Sequence, residues 1–149
     1  MSGLRLLAED EEDLKIVSAH LQDAVLRMGD LVYLPKRRRF AALVNRFCWE
    51  DCGEGHSGVR VLAGLHFDGV LKVQAQHVRQ DDPDAVAELL AIDFTPQGDA
   101  GGTIDLMFAG GGRIRLHVEC IDATLRDMTE PRPAVARPEH DLERGIKSN

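Results

Sequence analysis

The sequence predicts an α+β domain built on a largely antiparallel, strongly bent sheet or partly open barrel of about seven or eight strands, with one N-terminal helix. Three observations predict it. Apolar residues alternate with polar ones at period two through most of the chain, the mark of strands with one buried face. Helical spacing follows a capping signal in one place only, near the N-terminus. And 149 residues, 44% of them hydrophobic, suffice for one domain with its own core. So many one-faced strands have to curl around a shared core, and a helix on the open side would protect the remaining edges.

The elements follow in order. Leu4, Leu6 and Leu7 read as a short first strand. Asp10 then caps a helix, with Glu11, Glu12 and Asp13 where the helix dipole favours negative charge. Leu14, Val17 and Leu21 form its apolar face, and it should end near Asp23. Two short strands, Val25 to Met28 and Leu31 to Leu34, flank Gly29-Asp30 as a hairpin that sets Leu26 opposite Tyr33. A turn through Pro35-Lys-Arg-Arg-Arg39 leads to a strand from Phe40 to Trp49. One side of that strand carries Ala41, Leu43, Phe47 and Trp49, the other Ala42, Val44, Arg46 and Cys48.

Between Val59 and Val78, Val59, Val61, Ala63, Leu65, Phe67, Leu71, Val73 and Ala75 share one parity. A hairpin at Asp68-Gly69 would set apolar against polar throughout, so a single strand bent at Gly69 is the expectation. A meander of three strands follows. Its inner faces are Leu90, Ile92 and Phe94; then Ile104, Leu106 and Phe108; then Ile114, Leu116, Val118 and Cys120. Gly110-Gly-Gly112 is the loop between the last two, pairing Phe108 with Ile114. Alternation breaks after Cys120, which a bulge near Ile121 would repair. Residues 1–127 make one domain, and the proline-rich residues 128–149 an extended or disordered tail.

Composition narrows the function. Eighteen basic against 25 acidic residues, a net charge of −7, argues against nucleic acid as partner. No apolar run is long enough for a membrane span. The start lacks the apolar stretch of a secretion signal. Three cysteines read as free thiols in a reducing cytoplasm. No cofactor signature is present: Gly110-Gly-Gly112 precedes a strand, whereas phosphate-binding loops open helices.

Three constellations could carry function. Cys48, Cys52 and His56 are zinc-type ligands in one loop, but a closed zinc site needs a fourth, so no metal is expected. Lys36, Arg37, Arg38 and Arg39 form the one basic cluster and, with Trp49 and Glu50, a candidate binding surface. The plainer reading of that cluster is a solvated turn that blunts a sheet edge. His66 and Asp68, two apart on one strand, share a face, and Arg46 is placed with them on the outer side of a neighbouring strand. Such a set could perform acid–base work, although no nucleophile accompanies it, and an ion-pair lattice explains it as well.

Several stretches in combination carry a resemblance. They are Ser18-Ala-His-Leu-Gln-Asp-Ala24, Gly29-Asp-Leu-Val-Tyr-Leu-Pro35, Asn45-Arg-Phe-Cys-Trp-Glu50, Gly64-Leu-His-Phe-Asp68, Ala109-Gly-Gly-Gly112 and Ile114-Arg-Leu-His-Val-Glu-Cys-Ile-Asp-Ala123. From Leu4 to about His140 the chain resembles the DUF2948 family of uncharacterised, mainly alphaproteobacterial proteins. The resemblance implies a small cytoplasmic bacterial domain, supplies no catalytic residues, and leaves Cys48 and Cys52 outside the family's recurring pattern. The expected function is a non-enzymatic protein- or ligand-binding module, with an unidentified protein or small molecule as partner and a homodimer among the possible assemblies. The alternative is a small enzyme using His66, Asp68 and Arg46 in a sheet-lined cleft.

Overall fold

The computed structural model describes residues 3–47, 59–79, 81–128 and 132–133. Its first strand, β1 (Arg5–Ala8), leads into α1 (Glu11–His20). Asp10 caps the helix as expected: its carboxylate accepts the Asp13 N–H at 2.8 Å, and the Asp13 carboxylate accepts the Glu9 N–H at 3.1 Å. Leu14, Val17 and Leu21 are buried. The chain reverses at Asp23, whose φ is +67°.

The other strands are β2 (Val25–Arg27), β3 (Leu31–Leu34), β4 (Arg39–Phe47), β5 (Val59–Asp68), β6 (Val70–Gln76), β7 (Val86–Gln97), β8 (Gly101–Phe108), β9 (Arg113–Val118), β10 (Ala123–Asp127) and the two-residue β11 (Arg132–Pro133). They form one antiparallel sheet in the order β1-β10-β5-β4-β2-β7-β8-β9-β6, with β3 beside β4 and β11 beside β5. The sheet is open, ending at β1 and β6. The strand count of seven or eight is corrected to ten strands of three or more residues, plus β11.

Two differences account for the count. The stretch 59–76 is one path bent at Gly69, as expected, but its halves serve as separate strands. β5 pairs with β4 and β10, while β6 pairs with β9. Gly69 has φ +73°, which a side chain would oppose. Second, the break in alternation after Cys120 is a turn, not a bulge. The chain leaves β9 at Val118 and returns as β10 between β1 and β5. Cys120 therefore lies exposed instead of on the inner face.

The expected hairpin at Gly29-Asp30 does not form. A 3-10 turn over Met28–Asp30 separates β2 from β3, and both lie along the same edge of β4. Met28 and Gly29 instead donate their N–H groups to Ala85 and Pro83. Leu90 also differs: a bulge between Leu89 and Ala91 buries Leu89 and turns Leu90 outward, 47% exposed. The Ile92 N–H there donates to Ser18 Oγ of α1 at 3.0 Å, so the helix is hydrogen-bonded to the strand it covers. The β8–β9 register is shifted by two residues from the expected one, with Leu106 opposite Ile114. Gly110 and Gly111, at φ +88° and +97°, carry the reversal between the two strands.

The core lies inside the curl. Phe40, Ala42 and Val44 of β4 face Phe67, Leu65 and Ala63 of β5, and these meet Ile104, Leu106 and Leu116 of the opposite wing. Each of the valine, leucine, isoleucine and phenylalanine side chains among them contributes about 1.5–3 kcal/mol on burial. The bend is tied from outside. The Val70 N–H donates to the Arg38 carbonyl at 2.8 Å, the Glu119 N–H to the Gly69 carbonyl at 2.9 Å, and the Tyr33 hydroxyl to the Val70 carbonyl at 2.8 Å.

Gly69→Ala tests the bend. The added Cβ would meet the Glu119 Cβ at 3.8 Å, ordinary contact, so the cost is backbone conformation alone. The expected loss is about 1–2 kcal/mol of unfolding free energy in urea titrations. An unchanged midpoint would mean that the bend does not need the left-handed conformation.

Candidate functional site

The placement of Arg46 on the outer side is corrected by the register. Phe40, Ala42, Val44 and Arg46 of β4 face the core, whereas Arg39 and Ala41 share the outer face with Asp68 and His66. Arg46 is therefore on the opposite side of the sheet from the residues grouped with it. Its side chain is fully buried, and the Asp127 side chain is 4% exposed. Arg46 Nε and Nη2 donate to the two Asp127 oxygens, each at 2.9 Å. The same carboxylate accepts the Leu4 N–H at 2.9 Å. This bidentate pair spans β5 to lock β4 to β10 and to the segment before β1.

His66 and Asp68 do come together, with Nε2 3.6 Å from Oδ2. That is an ion-pair separation, too long for a hydrogen bond. Both Asp68 oxygens are held by Arg39, at 2.7 and 3.3 Å, and these bonds raise the Arg39 pKa further. Asp68 is thus committed to a guanidinium and does not orient the imidazole as an acid–base dyad requires.

The basic turn is divided between structure and solvent. Arg38, left-handed at φ +53°, pairs with Glu119 at 2.6 Å, and Arg39 pairs with Asp68. Both contacts brace the bend at Gly69. Lys36 and Arg37 remain exposed at the tip. Trp49 and Glu50, like Cys48, Cys52 and His56, lie outside the described residues. Among the described residues no three histidine, cysteine, aspartate or glutamate side chains group as a metal site.

What the outer face does contain is a groove of about 790 Å³. It lies across β1, β10, β5, β4 and β3, and two rows of residues build it. The first runs Thr124, His66, Ala41, Val32 from strand to strand, and Leu7 of β1 continues it just beyond the groove. The second runs Arg5, Arg126, Gly64, Leu43. Gly64 contributes no side chain to the middle of the groove, and Met128 lies over it: a Cβ there would come within 3.2 Å of Met128 Sδ. Leu7, Val32 and Met128 lie around it at 58%, 46% and 60% exposure. Among the described residues, His66 is the one site candidate from the sequence that lines it.

Asp30 closes the far end. It immediately precedes the Leu31–Ala42 pair, so the register carries it beside Leu43. One of its oxygens is buried without a hydrogen-bond partner among the described residues. Burial pushes its pKa from the usual 3.8 up to about 6, against the opposing pull of Arg27. Arg27 itself is paired with Asp84.

Arg5, Arg126, Gly64 and Asp30 escaped the sequence reading. A glycine inside an alternating strand does signal a close approach, and Gly64 carried that signal unused. Arg5 and Arg126 are 121 positions apart, and only the β1–β10 register joins them.

Two outcomes are expected. Arg46→Met strands the Asp127 carboxylate and should cost about 3–5 kcal/mol, whereas Arg46→Met with Asp127→Leu should recover most of that loss, read by urea unfolding. For Asp30, the folded-state pKa lies above the unfolded value, so the folded chain binds the extra proton and stability falls as pH rises through 6. Asp30→Asn should therefore raise Tm at neutral pH, with the gain disappearing below about pH 4. A gain independent of pH would contradict this.

Among the described residues no helix is long and apolar enough to cross a membrane. No curated protein and no solved structure matches the chain. The match that exists runs over residues 4–140, from just before β1 to beyond β11, and it is to DUF2948, a family described as proteins of unknown function; the chain belongs to that family.

Proposed function

We propose that this protein is a non-enzymatic binding module whose ligand lies in the groove on the outer face of β1, β10, β5, β4 and β3. The observation that carries the reading is the gap at Gly64. An outward sheet face is ordinarily filled by its own side chains; here a mid-strand glycine between Leu43 and Arg126, with Ala41 and Thr124 in the next row, lies in a concavity of about 790 Å³. That is within the roughly 300–1,000 Å³ of small-molecule sites. Apolar side chains exposed around it, Leu7, Val32 and Met128, supply contact surface that water does not favour.

The enzymatic alternative draws less support. Arg46 is buried on the other face with Asp127, and Asp68 is held bidentately by Arg39. His66 then stands in the groove without an orienting carboxylate at hydrogen-bond distance, better suited to contacting a ligand than to transferring protons.

The test is a small-molecule fragment screen by amide chemical-shift perturbation, run on the wild type and on Gly64→Leu. The variant fills the space over Gly64 without a backbone penalty, since Gly64 does not have positive φ, and displaces the end of the flexible Met128 side chain, whose Sδ lies 3.2 Å from the new Cβ. Fragments that shift the amides of Gly64, His66 and Thr124 in the wild type and bind at least about ten-fold more weakly to the variant are expected. Fragments that bind both proteins equally, or only elsewhere, would overturn the reading.

A further inference from the structure

We infer that the ligand of this groove is a small amphipathic anion, its carboxylate or phosphate held by Arg5 and Arg126 and its apolar body laid over Gly64 toward Leu43. The inference rests on the groove being the binding site and adds the ligand's chemistry and orientation. Arg5 and Arg126 face each other directly in the β1–β10 register. Like charges opposed across a strand pair disfavour the fold. The chain has 25 acidic residues against 18 basic ones, so carboxylates to neutralise them are not scarce.

Most of the other strand arginines are engaged: Arg39 by Asp68, Arg46 by Asp127, Arg113 and Arg115 by Asp105, and Arg60 by the Asn45 carbonyl and the Phe47 ring. No ion pair or side-chain hydrogen bond engages Arg5 or Arg126 among the described residues. Two adjacent guanidiniums without a carboxylate, beside an opening in the sheet face, form a fork for an external anion. The Thr124 hydroxyl and the His66 ring, in the next row, add hydrogen-bonding groups beside it.

The row also sets polarity. From Asp30 beside Leu43, across Gly64, to Arg126 is three strand spacings, about 14 Å. Between these opposite charges the row holds Leu43 and a glycine, with the Met128 thioether lying over the glycine as further apolar contact surface. An anionic head is attracted to the β10 end and repelled from the Asp30 end. The apolar body therefore points from β10 toward β3, and a donor group at its far end would meet the partly buried Asp30 carboxylate.

The experiment titrates isotope-labelled protein with hexanoate, hexyl phosphate, 6-aminohexanoate and 1-hexanol, following the Gly64, Thr124 and Arg126 amides. Both anions are expected to bind with an advantage over hexanol of about ten-fold, the size of a charge-assisted contact. Whichever anion binds tighter identifies the head group. The 6-aminohexanoate should bind at least as well as hexanoate, and lose that advantage in Asp30→Asn. Arg126→Gln should weaken hexanoate by about ten-fold, yet keep or raise Tm, because it removes a like-charge contact. Arg126→Lys should restore part of the affinity. Equal binding of hexanol and hexanoate, or hexanoate affinity unchanged in Arg126→Gln, would overturn the anion assignment and leave the groove as a site for neutral ligands. Failure of every probe to shift these amides would also overturn it, and the Gly64→Leu comparison then decides separately whether the groove binds anything.

Discussion

A single strand path shared by both wings of the sheet is the constraint on which the rest depends. Residues 59–68 pair with β4 and β10, and residues 70–76 pair with β9. The change of direction occurs at Gly69, where positive φ is available at no side-chain cost. Because the path is continuous, the curl of the sheet needs no connecting loop there. The buried faces of the two wings come to lie opposite each other, and Phe67 and Val70, on either side of the bend, are both fully buried. The hydrogen bonds from Val70 to Arg38, from Glu119 to Gly69 and from Tyr33 to Val70 hold that geometry from three other strands or turns. Much of the basic turn is spent on this bracing, through Arg38 with Glu119 and Arg39 with Asp68.

The second constraint is the Arg46–Asp127 pair. It is placed where β4, β10 and the segment before β1 converge, and the Asp127 carboxylate accepts from Arg46 and from the Leu4 N–H, both distant in the chain. A buried ion pair of this kind contributes more to specifying one register than to net stability, because desolvation offsets much of its attraction. Register matters here for the groove as well as for the fold. A two-residue slip of β10 against β5 would carry Arg126 away from Gly64, and a one-residue slip would turn it into the core.

The groove and the core are opposite faces of the same strands. Alternation along β5 sends Ala63, Leu65 and Phe67 inward and leaves Gly64, His66 and Asp68 outside. The face left outside is uneven: a glycine and an alanine in the middle, arginines toward β1, an aspartate toward β3. This unevenness, not any motif, distinguishes it from an ordinary solvated surface, where both signs of charge are interspersed. The outer face of β8 and β9 provides the contrast, since there Asp105 lies against Arg115 and Arg113 and its charges are satisfied internally.

The sequence by itself determined the local features: the Asp10-capped helix and its Leu14–Val17–Leu21 face, the bend at Gly69, the β7–β8–β9 meander, and the sharing of one face by His66 and Asp68. All of these follow from interactions within a few residues, where capping, side-chain period and glycine conformation act directly. Only the tertiary structure decided which side of β4 faces the core, because Ala41-Leu43 and Ala42-Val44 are equally apolar and periodicity cannot choose between them. That choice removed Arg46 from the His66 face and gave it Asp127. It also decided that the residues after Cys120 return as β10, since pairing with Leu6 and Leu65 depends on partners more than fifty positions away. The groove is a product of the same long-range registers: Arg5, Gly64, Arg126 and Asp30 are unremarkable apart and line one groove only when the strand registers set them in a row.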